Sequence, residues 1–257
     1  VSARDITGRS LTIPALVLSL PAPLHQFTWL LRVRDQGTVD LVAPKGNLHQ
    51  SLPDKQCNEK TEGSHIGQFC STAESTIQKI QIKGNVSIIV TPKNIKDLSQ
   101  EKGPFLNFGI SPEISENVIY TVSPLISGPM YLATPNWPDG MNPSSSASWV
   151  VYIPQDYMAE LQFTNVSKPK CESGHAEVEV GPLDSQDQTH YPSLVVQQQS
   201  FYLNMSNCEP KSDRFAVLSN ISLQKETKKF LGIILGVVGV LLLLVIIALM
   251  VVCIIRK

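Results

Sequence analysis

Residues 149–153 read Trp-Val-Val-Tyr-Ile, and residues 29–33 read Trp-Leu-Leu-Arg-Val, a similar run 120 positions earlier. In both runs alternate residues are apolar, so one face of a strand would carry Trp and two aliphatic side chains. A second alternating run follows each of them, at residues 39–41 and 159–161. This repeat predicts two β-sandwiches, each with a core filled by alternate side chains of two facing sheets.

The predicted fold class is therefore all-β, with one sandwich domain over residues 10–112 and a second over residues 118–223. Short β-rich runs separated by Pro, Gly, Asn and Asp support this organisation. The boundary is predicted near Ser111-Pro112-Glu113, where proline interrupts the pattern. We expect residues 1–9 to be the edge of a fragment, because they contain no signal peptide and Val1 is not an initiator methionine.

The C-terminal part of the chain has a different composition. From residue 230 to residue 255 there are 26 consecutive residues without a charge. A helix of that length would measure about 39 Å, and the hydrocarbon core of a bilayer is about 30 Å thick. A buried core helix is the alternative, but a helix with no polar face fits poorly in so small a domain. We predict a single transmembrane α-helix at 230–255, a basic stalk at 224–229 and a cytosolic stub at 256–257.

Cysteine and sequon usage predicts on which side of the membrane each part lies. The positive-inside rule is ambiguous, because basic residues flank both ends of the span. Four of the five cysteines precede the span, and so do four N-x-S/T sequons. An even cysteine count beside several sequons favours an oxidising, secretory compartment. We therefore expect a plasma-membrane protein with an extracellular N-terminal part and N-glycosylation at Asn85, Asn165, Asn204 and Asn220.

Four cysteines allow three connectivities. Pairing within each copy of the repeat predicts the disulfides Cys57–Cys70 and Cys171–Cys208. In the chain-entropy description, closing these loops stabilises the fold by about 3 and about 4 kcal/mol. Free thiols in the core are the alternative.

Charge and motifs exclude several functional classes. The chain carries 21 basic and 22 acidic residues, a net charge of −1, which argues against nucleic-acid binding. It has no G-x-S-x-G elbow, no H-E-x-x-H, no C-x-x-C and no Walker loop, and its five histidines are scattered. We expect no enzyme activity and no catalytic, cofactor or metal site.

The predicted span contains two further features. Gly232, Gly236 and Gly239 form a small-residue stripe that could pack against a second helix and give a homodimer, although glycine is common in such helices. Cys253 lies at the predicted inner interface, where S-palmitoylation is chemically accessible and an inert thiol is the alternative.

The segment 131–138, the Trp149 strand that ends at Pro154, and residues 159–163 resemble the opening of a CUB domain. That family typically has a Ser-Pro-Asn-Tyr-Pro turn and a Cys before the tryptophan. Here Trp137 replaces the tyrosine, and Ala147 and Ser148 stand where the cysteine would be. The resemblance implies that the first usual CUB disulfide is missing and that Cys171–Cys208 is the later one. Residues 65–82 resemble the second half of a divergent CUB domain.

Many CUB domains bind Ca²⁺ through a glutamate and two aspartates. The segment where one aspartate would stand, Gly174-His175-Ala176, contains no carboxylate, and a hard cation requires several oxygen ligands. We therefore expect no calcium site, and we expect Glu172, Glu177 and Glu179 to face solvent.

The order of motifs over residues 11–257 further resembles a single-pass cell-surface glycoprotein of the CUB family. That resemblance implies an unidentified extracellular protein partner and a cytosolic tail, absent from this sequence, that Src-family kinases phosphorylate and SH2- or C2-type partners bind. Two functions remain open. The first is an adhesive ectodomain coupled to such a signalling tail. The second is a tail-less adhesion or decoy protein with contacts to membrane lipid alone.

Overall fold

A computed structural model describes most of the chain between residues 9 and 225 and part of a C-terminal helix. The described residues are 9–18, 23–33, 37–44, 48–52, 60–63, 66–70, 76–91, 97–98, 103–183, 189–190, 194–197, 199–225, 236–243, 245–247 and 249. As the repeat predicts, β-strands make up nearly all of the regular structure before residue 226.

The described residues of the first half of the chain form nine strands and one short helix. They are β1 (Arg9–Leu11), α1 (Ala15–Leu18), β2 (Phe27–Leu31), β3 (Thr38–Val42), β4 (His49–Gln50), β5 (Lys60–Gly63), β6 (Gly67–Cys70), β7 (Ile77–Lys83), β8 (Val86–Thr91) and β9 (Leu106–Ser111).

The second half contributes eleven strands within the described residues. They are β10 (Val118–Val122), β11 (Met130–Ala133), β12 (Ser146–Val151), β13 (Tyr157–Ser167), β14 (Lys170–Ser173), β15 (Glu177–Pro182), β16 (Thr189–His190), β17 (Leu194–Gln197), β18 (Phe201–Ser206), β19 (Glu209–Ser212) and β20 (Ala216–Lys225).

The two halves repeat the same topology. One sheet of each half runs in the order β2-β8-β5-β6 and β12-β18-β15-β16, and the facing sheet runs β1-β9-β3-β7 and β11-β20-β13-β17. All neighbours in these four series pair antiparallel. In both halves the tryptophan strand and the strand after it lie in opposite sheets. The short sequence repeat is thus part of a structural repeat that comprises four strands in each of two sheets.

Strand β10 joins the halves into one structure. It pairs antiparallel with β7 of the first half and parallel with β12 of the second, so a single nine-stranded sheet runs through both. The predicted boundary near residues 111–113 lies at the end of β9 and the start of its connection to β10, but the sheet does not end there. The sheet that continues across the junction combines non-equivalent sheets of the two copies.

The predicted alternation of buried and exposed residues is confirmed. In β12, Trp149 and Val151 are fully buried. In β2, Trp29 and Leu31 pack against the core, whereas Leu30 between them is exposed. In β10, Val118, Tyr120 and Val122 point inward and are buried.

Part of the predicted transmembrane segment 230–255 lies outside the described residues, including Gly232 and Cys253. Residues 226–229 of the predicted stalk and the predicted stub at 256–257 lie outside them entirely. Residues 236–243 are helical, and Gly236 and Gly239 within them have no neighbouring side chain or distant backbone close to the position of an added Cβ. Within the described ranges, no helix combines the length and the apolar character that crossing a bilayer requires.

Candidate functional site

Tyr120 lies at the junction between the two halves and contacts both. Its ring stacks on Trp149 of the second half, with 4.3 Å between ring centroids, and lies 6.0 Å from the ring of Phe69 in the first half. Its hydroxyl group donates a hydrogen bond of 3.2 Å to the Ile66 carbonyl oxygen. Burial raises the pKa of the Tyr120 phenol far above its usual value, so the group is neutral across the physiological range.

A second polar bridge crosses the junction at Gln50 of β4. Its Nε2 donates to the carbonyl oxygen of Thr134, 84 residues later, over 3.2 Å. Its Oε1 is buried and has no hydrogen-bond partner among the described residues. An unpaired acceptor of this kind costs about 1–3 kcal/mol. Because this oxygen has almost no accessible surface, it is enclosed by protein atoms and does not face open solvent.

A cavity of about 240 Å³ lies beside Gln50, between the two halves. The first half contributes β4 and the start of β7, and the second contributes Leu125 and the segment from Ser127 to Tyr131. Apolar atoms of Leu125, Pro129 and Met130 are part of the wall. None of the described lining residues is Asp, Glu, Lys or Arg. The cavity therefore suits a group that has both apolar and polar atoms.

The imidazole of His49 forms another part of the cavity wall. Its Nε2 lies 3.1 Å from Sγ of Cys70, which is disulfide-bonded. A disulfide sulfur has no proton, so the imidazole must be the donor in this contact. Cys57, the predicted partner of Cys70, lies outside the described residues.

The Cys171–Cys208 disulfide is present, as the repeat predicted. It joins β14 to the residue that precedes β19, and these two strands form a small separate sheet. Ala147 and Ser148, which precede Trp149 where the resemblance would place a cysteine, are both buried. The Ser148 hydroxyl group donates to Oδ1 of Asn204 over 2.6 Å, which links β12 to β18.

The four sequon asparagines fall into two groups. Asn85, in the turn between β7 and β8, and Asn165, beside a bulge in β13, are exposed. Asn204 and Asn220 are half-buried on strands that are paired on both sides. Oδ1 of Asn220 is buried without a partner in the described part of the chain. The first group is the more accessible to a glycan in the folded protein.

The structure also locates the other residues discussed above. Glu172 is exposed on β14, and Glu177 and Glu179 are half-exposed on β15. The described residues contain no group of three or more His, Cys, Asp or Glu side chains that could hold a metal ion. Trp137 is half-buried, and its Nε1 has no partner in the described residues.

Sequence reasoning did not identify Gln50 or Tyr120 as junction residues. The alternation Val118-Ile119-Tyr120-Thr121-Val122 is a strand signal that could have located β10. No comparable signal exists for Gln50, because the cavity forms from segments about 80 residues apart.

Comparison with known proteins agrees with the resemblance to CUB domains. Residues 115–222 match the family model of the CDCP1 CUB domain. The chain is homologous to human CUB domain-containing protein 1, with 29% identity over 80% of this chain, and to the mouse protein, with 29% identity over 79%. It spans 26% of the length of each relative.

Solved structures of tandem CUB domains resemble the chain only distantly. The CUB1-EGF-CUB2 domain of human MASP-1/3 is 12% identical and superposes with a TM-score of 0.31, covering 79% of this chain and 94% of that one. The same domains of rat MASP-1 are 13% identical, with a TM-score of 0.30, and cover 77% and 92%.

Proposed function

We propose that this chain is the membrane-proximal part of a non-enzymatic, single-pass cell-surface glycoprotein that binds an extracellular protein at the junction between its two halves. The carrying observation is the cavity of about 240 Å³ between the two halves, which polar and apolar residues of both halves line. A recess with such a mixed lining favours an aromatic side chain that also carries a polar group, such as tyrosine or tryptophan.

The shared sheet supports this function because it keeps the two walls of the cavity at a fixed separation. Five pairs of residues between β10 and β7, and five between β10 and β12, connect the walls through backbone pairing. A preformed recess loses less conformational entropy on binding than one that must assemble.

Two neighbouring residues on the cavity rim allow a matched test. Ser127 is exposed and lines the cavity, whereas Ile126 beside it is exposed at 59% and is not among the lining residues. Ser127→Trp should fill the recess without removing a core contact, and Ile126→Trp adds the same ring next to it. The assay displays the full chain on transfected cells and measures their adhesion to a monolayer of the untransfected parent line.

We expect adhesion from the unsubstituted chain, at least a tenfold loss with Ser127→Trp, and little change with Ile126→Trp. Surface biotinylation checks that all three chains reach the cell surface equally. Equal adhesion by the two variants would contradict binding at the cavity. All three chains carry a heterologous signal peptide in this assay, and a lack of adhesion by the unsubstituted chain would contradict the proposed binding.

The membrane part of the proposal rests on sequence composition. Residues 230–255 form the single transmembrane helix, Gly232, Gly236 and Gly239 are candidates for helix packing in a homodimer, and Cys253 is a candidate for palmitoylation. Alkaline carbonate extraction tests the anchor, because an integral protein stays with the lipid. Release of the chain into the supernatant would contradict it.

Homology to CUB domain-containing protein 1 supports coupling of this ectodomain to a tyrosine-phosphorylated tail that Src-family kinases and SH2- or C2-type partners recognise. The second candidate is a tail-less adhesion or decoy protein. Sequencing of the transcript beyond the codon for Lys257 discriminates the two. An open frame with tyrosine motifs supports the tail, and a stop codon supports the alternative.

A further inference from the structure

The two halves differ at the outer side of the strand that carries the tryptophan. Strand β12 has two neighbours, β18 on one side and β10 on the other. Its counterpart β2 pairs with β8, the counterpart of β18, and has no second neighbour among the described residues. Within the described part of the first half, β2 therefore has an open edge where the second half holds a parallel strand.

The tryptophans of the two halves differ in burial, as expected if Trp29 lacks a neighbouring strand that Trp149 has. In the second half, Tyr120 lies opposite Trp149 in the parallel register, stacks on it, and leaves it fully buried. The counterpart Trp29 is only half-buried, although Phe27 and Phe105 contact its ring at 4.7 and 5.7 Å between centroids. Trp29 thus lacks a contact equivalent to that of Tyr120.

The edge strand itself has an unusual composition for a free edge. Its sequence is Phe-Thr-Trp-Leu-Leu, without a charge or a proline, and Leu30 is 66% exposed. Proteins usually protect open edges with charged residues, prolines or bulges, because an unprotected apolar edge pairs with other chains. An edge of this composition is suited to being covered by another strand.

The spacing of the repeat indicates where the covering strand comes from. β10 ends at Val122, eight positions before β11 begins at Met130. β11 is the counterpart of β1, which begins at Arg9. The same spacing places the end of the equivalent strand near Val1, so that most of it would be supplied by polypeptide upstream of this sequence. The relatives are long enough to contain such a segment, since the chain spans 26% of their length.

We propose that the open edge of β2 accepts a parallel strand from the polypeptide immediately upstream, the counterpart of β10, with a large apolar side chain packed on Trp29. The occupant has the chemistry of residues 118–122, an uncharged alternating strand that pairs in parallel. Since β10 also pairs with β7, the upstream strand can join this unit to a preceding one in the same way.

The test compares hydrogen exchange of β2 amides in two proteins. One is the chain as given, and the other is the same polypeptide extended upstream by its own native residues. We expect those amides of residues 27–31 that point away from β8 to exchange at least tenfold more slowly in the longer protein. Strand β17, which pairs only with β13 among the described residues, is an internal control and should exchange equally in both.

Measurements over a hundredfold range of protein concentration identify the occupant. Protection in the longer protein that is independent of concentration supports a strand from the same polypeptide. Protection that rises with concentration, in either protein, would overturn the proposal in favour of a second copy. Equal exchange of β2 in the two proteins would overturn it as well, because the upstream residues would then not pair with this edge.

Discussion

The rings of Tyr120 and Trp149 stack with their centroids 4.3 Å apart and their planes at 25°, and the two residues are direct partners on parallel strands. The same tyrosine hydroxyl group is bonded to Ile66 in the other half of the molecule. One side chain therefore covers the core tryptophan of the second half and fixes the position of the first. Its removal should affect both halves together.

Substitution of Tyr120 should reduce stability in proportion to what is removed. Tyr120→Phe leaves the Ile66 carbonyl unpaired in a buried position and should reduce the free energy of unfolding by about 1–3 kcal/mol. Tyr120→Ala should reduce it by about 3–5 kcal/mol. Tyr152→Phe is a matched control, because Tyr152 is 48% exposed. Urea unfolding provides the measurement, and a neutral Tyr120→Phe would contradict the role of the hydroxyl group.

The buried phenol should also make stability depend on alkaline pH. The pKa of Tyr120 is raised in the folded protein, and a tyrosine in an unfolded chain has a pKa of about 10. Above about pH 10 the unfolded chain loses this proton and the folded protein keeps it, so stability should fall by about 1.4 kcal/mol per pH unit. Below about pH 10 both the folded and the unfolded protein keep this proton, so Tyr120 causes no pH-dependent loss of stability there. Between pH 9.5 and 11.5, the free energy of unfolding of Tyr120→Phe should therefore fall less steeply with pH than that of the unsubstituted protein. Equal slopes for the two proteins would contradict the effect of the buried phenol.

Substitution of two glycines that both have positive φ distinguishes the cost of backbone strain from the cost of close packing. Gly84, with φ of +79°, has nothing within 4 Å of an added Cβ, so Gly84→Ala should cost about 1–2 kcal/mol from strain alone. At Gly140, with φ of +93°, an added Cβ would lie 2.9 Å from the backbone oxygen of Phe215. Gly140→Ala should therefore cost at least about 1 kcal/mol more. Thermal unfolding compares the two, and equal losses would contradict the packing at Gly140.

The exposed sequon at Asn85 can be tested with two substitutions that differ in one hydrogen bond. Oδ1 of Asn85 accepts from the Val33 amide over 2.9 Å. Asn85→Gln and Ser87→Ala should each remove one glycan, seen as equal mobility shifts that deglycosylation abolishes. After deglycosylation, only Asn85→Gln should be less stable, by about 1 kcal/mol. An unchanged mobility in both variants would show that the sequon is not used.

The alternation around Trp149 and the pairing of Cys171 with Cys208 could be predicted because each depends on residues close in the chain or on a repeated pattern. The double pairing of β10 could not. A five-residue alternating strand predicts one buried face, but its neighbours on either side depend on tertiary structure. The role of Gln50 could not be predicted either, because its hydrogen-bond partner Thr134 belongs to the other copy of the repeat. The sequence repeat also gave no indication that non-equivalent sheets of the two copies would merge.

The strand shared between the two halves has a consequence for how such proteins can evolve. A domain that folds by itself can be duplicated, transferred to another gene or lost without damage to its neighbours. Here, a break at Ser111-Pro112 would remove β10 from β7 and open the edge of the upstream half. We therefore expect β10 and its pairing registers with β7 and β12 to be retained together during evolution. An insertion of one residue within β10 would place Tyr120 on the opposite face of the sheet, because successive side chains alternate.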